Sequence, residues 1–160
     1  MRRVVTIGVY GFTLDAFLDA LRSVDARLVM DVRQRRGVRG SEYAWANAKR
    51  LEAALAEAGI EYEHHIELAP TTELRQAQYR EDERRGIGKR NRRALAPAYR
   101  DGYLAQILDR VELGPIVESM PEDAASALMC VERDPEACHR SLIAARLERE
   151  FGVAISHIRP

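Results

Sequence analysis

Short apolar runs alternate along this chain with longer segments in which apolar residues recur at helical spacing. The runs are rich in β-branched and aliphatic residues, which is typical of strands that a sheet buries on both faces. They predict strands at residues 4–9, 27–32, 125–131 and 153–157, and residues 60–66 are predicted as a more polar strand.

Helical periodicity fills the intervals between these strands. Apolar residues recur every three or four positions over residues 14–23, and Thr13 is placed to cap the helix that they form. The same spacing predicts three further helices, at residues 44–58, about 98–112 and 135–151. Gly59 ends the first of these three helices.

Alternating helices and strands predict a fold in which helices cover both faces of a parallel sheet. The chain has 160 residues, a length that suits one domain with a hydrophobic core. We therefore predict a single three-layer α/β/α domain over residues 1–160, built on a mainly parallel sheet of about five strands. Ligands of such sheets bind beyond the carboxyl ends of the strands, so we expect the functional site at that edge.

Composition agrees with a globular protein of the cytoplasm. Hydrophobic residues make up 46% of the chain and charged residues 31%. No apolar run approaches the roughly 20 residues that a membrane span needs, and the basic start has no signal-peptide pattern. In a reducing cytoplasm, the two cysteines are expected to be free thiols.

The charge of the chain is balanced overall but unevenly distributed. Residues 71–103 carry nine basic and five acidic side chains, whereas residues 104–160 carry six and ten. We expect residues 70–112 to form a basic, helical insertion with a break around Gly86. A basic surface of this kind either attracts an anion or is a solvated helical face.

The segment 130–140 combines thiols, an imidazole and charged groups. Cys130 ends a predicted strand, and the Asp-Pro-Glu sequence that follows is a strong helix start. This start places Cys138, His139 and Arg140 in or just after the first helical turn. A thiol at such a position tends to ionise, and the helix amino terminus attracts anions.

Candidate site residues follow from the predicted strand ends. As catalytic groups we select a thiol as nucleophile or redox group, an acid/base pair and a carboxylate: Cys138, His139, Glu132 and Asp31. For ligand binding we select the arginines and the loop residues at the same edge: Arg33, Arg140, Gly8, Tyr10 and Cys130. The alternative is that several of these side chains are ordinary packing residues of the core and bind no ligand.

A second cluster follows the strand at 27–32. Residues 33–39 carry four arginines, and Tyr43 and Trp45 come soon after. Cations beside aromatic rings are typical of nucleotide or single-strand binding. The alternative is an exposed loop whose tryptophan packs in the core.

Metal ligation is a further alternative for the thiols. Cys130, Cys138 and His139 together with His64 or His65 would supply four ligands. The spacing Cys-x7-Cys-His is not a standard zinc pattern, so the sequence assigns no metal ligand and no cofactor.

The motif Cys130-x-Glu132-x-x-Pro135-x-x-Cys138-His139-Arg140 resembles the signature of the domain of unknown function 488 family. Thr6-Ile7-Gly8, Asp31-Val32-Arg33 and His157-Ile158 resemble that family as well. The resemblance implies a compact α/β domain and no assigned reaction. Two loops depart from the family pattern: no proline follows Asp31-Val32-Arg33, and Leu68-Ala69-Pro70 replaces a Leu-Gly-Gly sequence.

The sequence thus favours an enzyme or binding protein for a small anionic or nucleotide-like ligand. A nucleic-acid-binding module that uses the 33–39 loop and the basic segment is one alternative, although the zero net charge counts against it. A thiol/histidine metal or redox protein is the other. Neither the reaction nor the oligomeric state follows from the sequence.

Overall fold

Five parallel strands form the centre of the protein in a computed structural model that describes residues 1–88 and 91–160. Lys89 and Arg90, part of the predicted basic segment, lie outside the described residues. The strands are β1 (Arg3–Ile7), β2 (Ala26–Asp31), β3 (Glu61–His64), β4 (Ala125–Met129) and β5 (Ala154–His157). Their order in the sheet is β3-β2-β4-β1-β5, and every pairing is parallel.

Helices pack on both faces of this sheet, as the predicted three-layer α/β/α architecture requires. They are α1 (Leu14–Ser23), α2 (Ala48–Glu57), α3 (Thr72–Arg84), α4 (Pro97–Tyr103), α5 (Gly114–Ser119) and α6 (Arg140–Phe151). Buried residues of α1 and α2 share one hydrophobic core with the sheet, and those of α3 to α6 share the other. Among the described residues, no helix has the length and apolar character needed to cross a membrane.

Alternation along the strands feeds these two cores. Val5 and Ile7 of β1 pack in the core that contains Phe17 of α1, whereas Val4 packs in the core that contains Ile143 of α6. Because successive side chains of a strand point to opposite faces, continuous apolar runs supply both cores at once. The apolar runs of the sequence were therefore a reliable sign of a doubly covered sheet.

The predicted strands lie within two residues of the observed ones, and Thr13 caps α1 by accepting a hydrogen bond from the Ala16 backbone N–H. Several helix predictions need correction. The helix over 44–58 is a 3₁₀ turn, Ala44–Ala46, followed by α2. The helix over 98–112 is α4 followed by a π turn, Leu104–Leu108, and α5 was not predicted.

The start of the helix over 135–151 also differs from the prediction. Pro135–Ala137 forms one 3₁₀ turn, Cys138 is extended (φ −139°, ψ 148°) and α6 begins only at Arg140. The extended backbone at Cys138 lets its side chain reach the core, where only 1% of the residue is exposed. Cys138 and His139 therefore precede the helix, and its first turn begins with Arg140.

Candidate functional site

The loops after β1, β2 and β4 meet at the carboxyl edge of the sheet because these strands are neighbours. The Val32 N–H donates to the Met129 carbonyl (3.1 Å), and the Cys130 N–H donates to the Ile7 carbonyl (3.2 Å). Beyond these pairs, the N–H groups of Val9 and Tyr10 both donate to the Val131 carbonyl (3.0 Å each). Backbone hydrogen bonds thus hold all three strand ends in a fixed relation.

Gly8 makes the close approach of two of these loops possible. A Cβ atom at this position would lie 1.9 Å from the Glu132 carbonyl oxygen and 3.3 Å from a guanidinium nitrogen of Arg140. Any side chain would therefore collide with the backbone of the loop after β4. Gly8, selected from the sequence as a ligand-binding residue, lies at this contact between loops.

Asp31 and Arg33 form a buried ion pair at the end of β2. Arg33 Nε donates to Asp31 Oδ1 (2.9 Å), its NH2 group donates to Oδ2 (2.7 Å), and its NH1 group donates to the Ala46 carbonyl (2.9 Å). The Tyr62 hydroxyl also donates to Asp31 Oδ2 (2.5 Å). Burial, foremost, raises the pKa of Tyr62 to about 12, so this donor stays protonated. This ion pair therefore stabilises the loop after β2, which carries the next arginines of the chain.

Cys130, Cys138 and His139 form a compact buried group that we call the thiol–imidazole cluster. Their exposed fractions are 5%, 1% and 4%. His139 Nδ1 lies 3.9 Å from Cys130 Sγ and 3.7 Å from Cys138 Sγ. On the other side of the ring, Nε2 donates to the Val32 carbonyl (2.8 Å). The connection between β4 and α6 thus brings both sulfur atoms close to one ring nitrogen.

Mutual interactions within the cluster shift the proton affinities of its members. Burial opposes ionisation of Cys138, but the hydrogen bond with Cys130 and the charges of His139 and Arg140 lower its pKa well below the ordinary value. The Cys130 pKa is raised by the same hydrogen bond and by burial. Burial works against a charged His139, yet the Cys138 thiolate raises the imidazole pKa.

Arg140 and Glu132 lie at the rim of this cluster. The NH1 group of Arg140 donates to the Glu132 carbonyl (2.7 Å), and its NH2 group donates to the Arg133 carbonyl (3.3 Å). Arg140 Nε is buried and has no hydrogen-bond partner among the described residues. These two hydrogen bonds from Arg140 fix the turn after β4.

Arg92 connects the helical segment to the same turn and was not selected from the sequence. Its Nε and NH2 groups donate to Asp82 Oδ2 (2.9 and 2.7 Å), and its NH1 group donates to Glu132 Oε1 (3.3 Å) and to the Ala137 carbonyl (3.2 Å). Gln78 in turn donates to Asp82 Oδ1 (2.9 Å). This buried network holds α3 against the edge of the sheet.

A small cavity opens where these elements converge, and we call it the edge cavity. It has a volume of about 50 Å³. Its lining comes from the loops after β2 and β4 and from the helical segment: Arg33, Gln34, Arg35, Pro70, Arg75, Gln78, Tyr79, Arg92, Tyr99, Cys130, Val131, Glu132 and His139. The edge cavity thus places cations, a thiol and an imidazole around one space.

Two cations of the edge cavity lack an acidic partner among the described residues. Arg35 is exposed, and Arg75 donates to Gln34 Oε1 (2.8 Å) and to the Tyr79 hydroxyl (3.0 Å), both neutral groups. By contrast, Arg33 and Arg92 are paired with carboxylates. The local positive charge that can meet an anion therefore belongs to Arg35 and Arg75.

Other residues selected from the sequence lie outside the edge cavity. Tyr10 lines a neighbouring depression together with Arg35, Arg39 and Arg75. The two adjacent histidines are held elsewhere: His64 Nε2 donates to the Arg33 carbonyl (2.8 Å), and His65 lies between Glu63 and Glu67. The thiol–imidazole cluster thus contains a single histidine.

The contribution of α3 to the cavity has a sequence signal that was not used. Arg75, Gln78, Tyr79 and Asp82 are polar or amphipathic residues at positions i, i+3, i+4 and i+7, so they share one face of a helix. Gln78 and Asp82 are buried on that face. A solvated face was one of the two interpretations of this segment, yet three residues of the stripe, Arg75, Gln78 and Tyr79, line the edge cavity.

Comparison with known proteins gives one finding. Residues 13–147 match the model of the family described as "Domain of unknown function DUF488". No curated protein and no solved structure matches the chain. The matched segment includes the loops after β2 and β4 and all of α3, and so contains every lining residue of the edge cavity. On the strength of this match over more than half of its length, the chain belongs to the DUF488 family.

Proposed function

We propose that this protein binds a small anionic substrate, phosphate-bearing or nucleotide-like, in the edge cavity and acts on it there. One observation carries the proposal: two arginines without acidic partners among the described residues face the same small space as a thiol and an imidazole. Cations that are not neutralised locally attract an anion into a recess and hold it there. The position agrees with the general rule that parallel sheets bind ligands beyond their carboxyl ends.

Arg75 is the best-oriented anion ligand. Gln34 and Tyr79 accept hydrogen bonds from its NH1 and NH2 groups, so the guanidinium is held in place. A guanidinium that is already fixed loses less conformational freedom on meeting a phosphate or carboxylate. Arg35, which is exposed, supplies a second cation to the lining of the cavity. Arg33 and Arg140, selected from the sequence for this task, hold the surrounding frame instead.

The size of the edge cavity limits what enters it. About 50 Å³ accommodates a few water molecules, since one needs roughly 10–15 Å³. A phosphoryl or carboxylate group is of that order, whereas a base or sugar is not. The remainder of a larger substrate would lie in the neighbouring depression, which shares Arg35, Arg75 and Tyr79 with the cavity.

The side chains that would face a bound anion favour an enzyme over a protein that only binds the anion. Cys130 and His139 line the cavity, Cys138 lies behind them, and Glu132 lies at the side. A pure binding site has no need of a thiol and an imidazole beside its cations, whereas acid/base and nucleophilic or metal-assisted chemistry require such groups. Asp31 acts through Arg33 and is a positioning residue.

The nucleic-acid alternative loses part of its support. Tyr43 and Tyr99 are buried, and the Trp45 ring packs on Phe17 with ring centroids 5.0 Å apart. Single-strand binding depends on aromatic faces that bases can stack on. Most of the aromatic rings that suggested such a surface pack in the hydrophobic core.

Thermal unfolding of the full chain with inorganic phosphate and with nucleoside monophosphates tests the proposal. A ligand at 100 times its Kd stabilises the folded state by about 2.7 kcal/mol, which a melting curve detects. We expect Arg75→Gln to weaken binding at least tenfold. The control Arg80→Gln, an exposed position on the same helix outside the cavity lining, should leave it unchanged. Equal affinity in both variants, or no stabilisation of the wild type by any anion, contradicts the proposal.

A further inference from the structure

We infer that Cys130, Cys138 and His139 form a metal site for a zinc-like divalent ion at the inner end of the edge cavity. The three ligand atoms are Cys130 Sγ, Cys138 Sγ and His139 Nδ1, and all lie within 4.8 Å of one another. This inference does not depend on the arginines, and so is independent of the anion site proposed above.

The distances between these atoms suit tetrahedral coordination. With Zn–S of about 2.3 Å and Zn–N of about 2.05 Å, a tetrahedron places sulfur and nitrogen about 3.6 Å apart. The observed separations from His139 Nδ1 are 3.7 Å to Cys138 Sγ and 3.9 Å to Cys130 Sγ. Both sulfur–nitrogen separations are therefore within a few tenths of an ångström of the value that a tetrahedral ion requires.

A second observation concerns the imidazole itself. His139 Nε2 donates to the Val32 carbonyl (2.8 Å), so the proton of the neutral ring belongs on Nε2 and the lone pair on Nδ1. Nδ1, which carries that lone pair, lies 3.7 and 3.9 Å from the two sulfur atoms. Metal-bound histidines almost always donate their other ring nitrogen to a carbonyl or carboxylate, because this fixes the tautomer and the ring orientation.

Charge and access favour the same assignment. Two thiolates neutralise a divalent cation, so the buried site carries no net charge when it is filled. Three protein ligands leave one position of the tetrahedron open, which is the pattern of catalytic zinc sites. Because Cys130 and His139 line the edge cavity while Cys138 lies behind them, the open position faces the cavity. The ion would there act as a Lewis acid on a bound oxygen atom.

All three ligands lie in the connection between β4 and α6, but their spacing in the sequence matches no standard zinc pattern. Cys130 directly follows β4, whereas Cys138 and His139 follow a 3₁₀ turn, and the extended backbone at Cys138 brings the second sulfur inward. His64 and His65, the other ligands considered from the sequence, are hydrogen-bonded elsewhere. The site therefore has three protein ligands instead of four.

Cobalt titration of the reduced, metal-free full chain tests the inference. We expect one equivalent of Co²⁺ to bind with a thiolate-to-cobalt charge-transfer band and the intense visible bands of four-coordinate cobalt. One equivalent of Zn²⁺ should abolish both. Cys130→Ser and Cys138→Ser should each remove most of the charge-transfer band. Each should also weaken cobalt binding by about 100-fold or more, because loss of a residue that only supports a metal ligand already weakens binding by about 10- to 100-fold.

The control variant is His65→Asn, which removes an imidazole that lies between two carboxylates and so eliminates a competing surface site. It should leave the cobalt spectrum unchanged. Folded, reduced wild-type protein without a thiolate–cobalt band overturns the inference, as does a band that persists in both serine variants. The wild-type result decides the question even if a serine variant does not fold. Phosphate binding that depends on Arg75 would survive either result.

Discussion

The Nε2 atom of His139 donates a hydrogen bond to the carbonyl oxygen of Val32 over 2.8 Å, which links the start of α6 to the end of β2. The two residues are 107 positions apart in the chain. Through this bond the loop that carries Arg33 and Arg35 and the loop that carries the thiols have a fixed relation. This hydrogen bond therefore positions both the thiol–imidazole cluster and the arginines of the loop after β2.

The buried ion pair between Asp31 and Arg33 gives a first prediction. Asp31→Asn leaves the Arg33 guanidinium buried without its counter-charge, and breaking such a pair costs about 3–5 kcal/mol. We expect the free energy of unfolding, measured by urea denaturation, to fall by an amount in that range.

A double variant serves as the control for this pair. Asp31→Leu combined with Arg33→Met removes both charges and should be more stable than Asp31→Asn, because no isolated charge remains. If the single variant is as stable as the wild type, the pair does not have the structural role assigned to it.

Gly8 gives a second prediction, about packing between loops. Gly8→Ala would place a methyl group 1.9 Å from the Glu132 carbonyl, so the loop after β4 must move. Overpacking of this kind costs about 1–3 kcal/mol or more, and the displaced turn should also weaken anion binding.

Gly114→Ala is the matched substitution, because no described atom lies within 4 Å of a Cβ at that position. It should change the melting temperature little. Comparable stability of the two variants in the same thermal melt would show that the loops do not approach as closely as described.

A third prediction concerns the pH dependence of stability. His157 is an exposed residue whose ring is partly desolvated, and this desolvation lowers its pKa below the ordinary value of 6.5; its Nδ1 atom lies 2.7 Å from the Thr6 hydroxyl oxygen. Because the folded-state pKa is below the unfolded-state pKa, the unfolded chain takes up the proton first. The contribution of His157 is therefore complete above pH 6.5 and is lost as the pH falls through 6.5 towards the folded-state value.

His157→Asn, which keeps a polar atom near Thr6 but does not titrate, isolates this effect. The difference in unfolding free energy between wild type and variant should shift against the wild type as the pH falls from about 7.5 to 5.5. A difference that stays constant over this interval argues against a depressed His157 pKa.

Predictability from the sequence differs between the fold and the site. The strands were evident because a doubly covered sheet demands apolar runs, and Thr13 marked the start of α1 through local chemistry alone. Asp31 and Arg33 were also within reach, since alternation along an extended chain places them together. Local patterns therefore indicated the architecture and the edge at which the site lies.

Local sequence patterns did not indicate which arginines form an ion pair with a carboxylate. Arg33 and Arg75 look alike in the sequence, yet one is neutralised two residues away and the other reaches Gln34 across 41 positions. The backbone of Cys138 was mispredicted for a related reason: Asp-Pro-Glu favours a helix locally, but burial of the thiol favours an extended residue. Tertiary contacts decided both cases.

The most direct test of the central claim is a crystal structure of the full chain soaked with phosphate and, separately, with a nucleoside monophosphate. We expect the phosphoryl group to lie in the edge cavity within hydrogen-bond distance of Arg75, on the side where Cys130 and His139 face it. An anion bound only elsewhere on the protein, or an edge cavity that stays filled with water at saturating ligand, would contradict it.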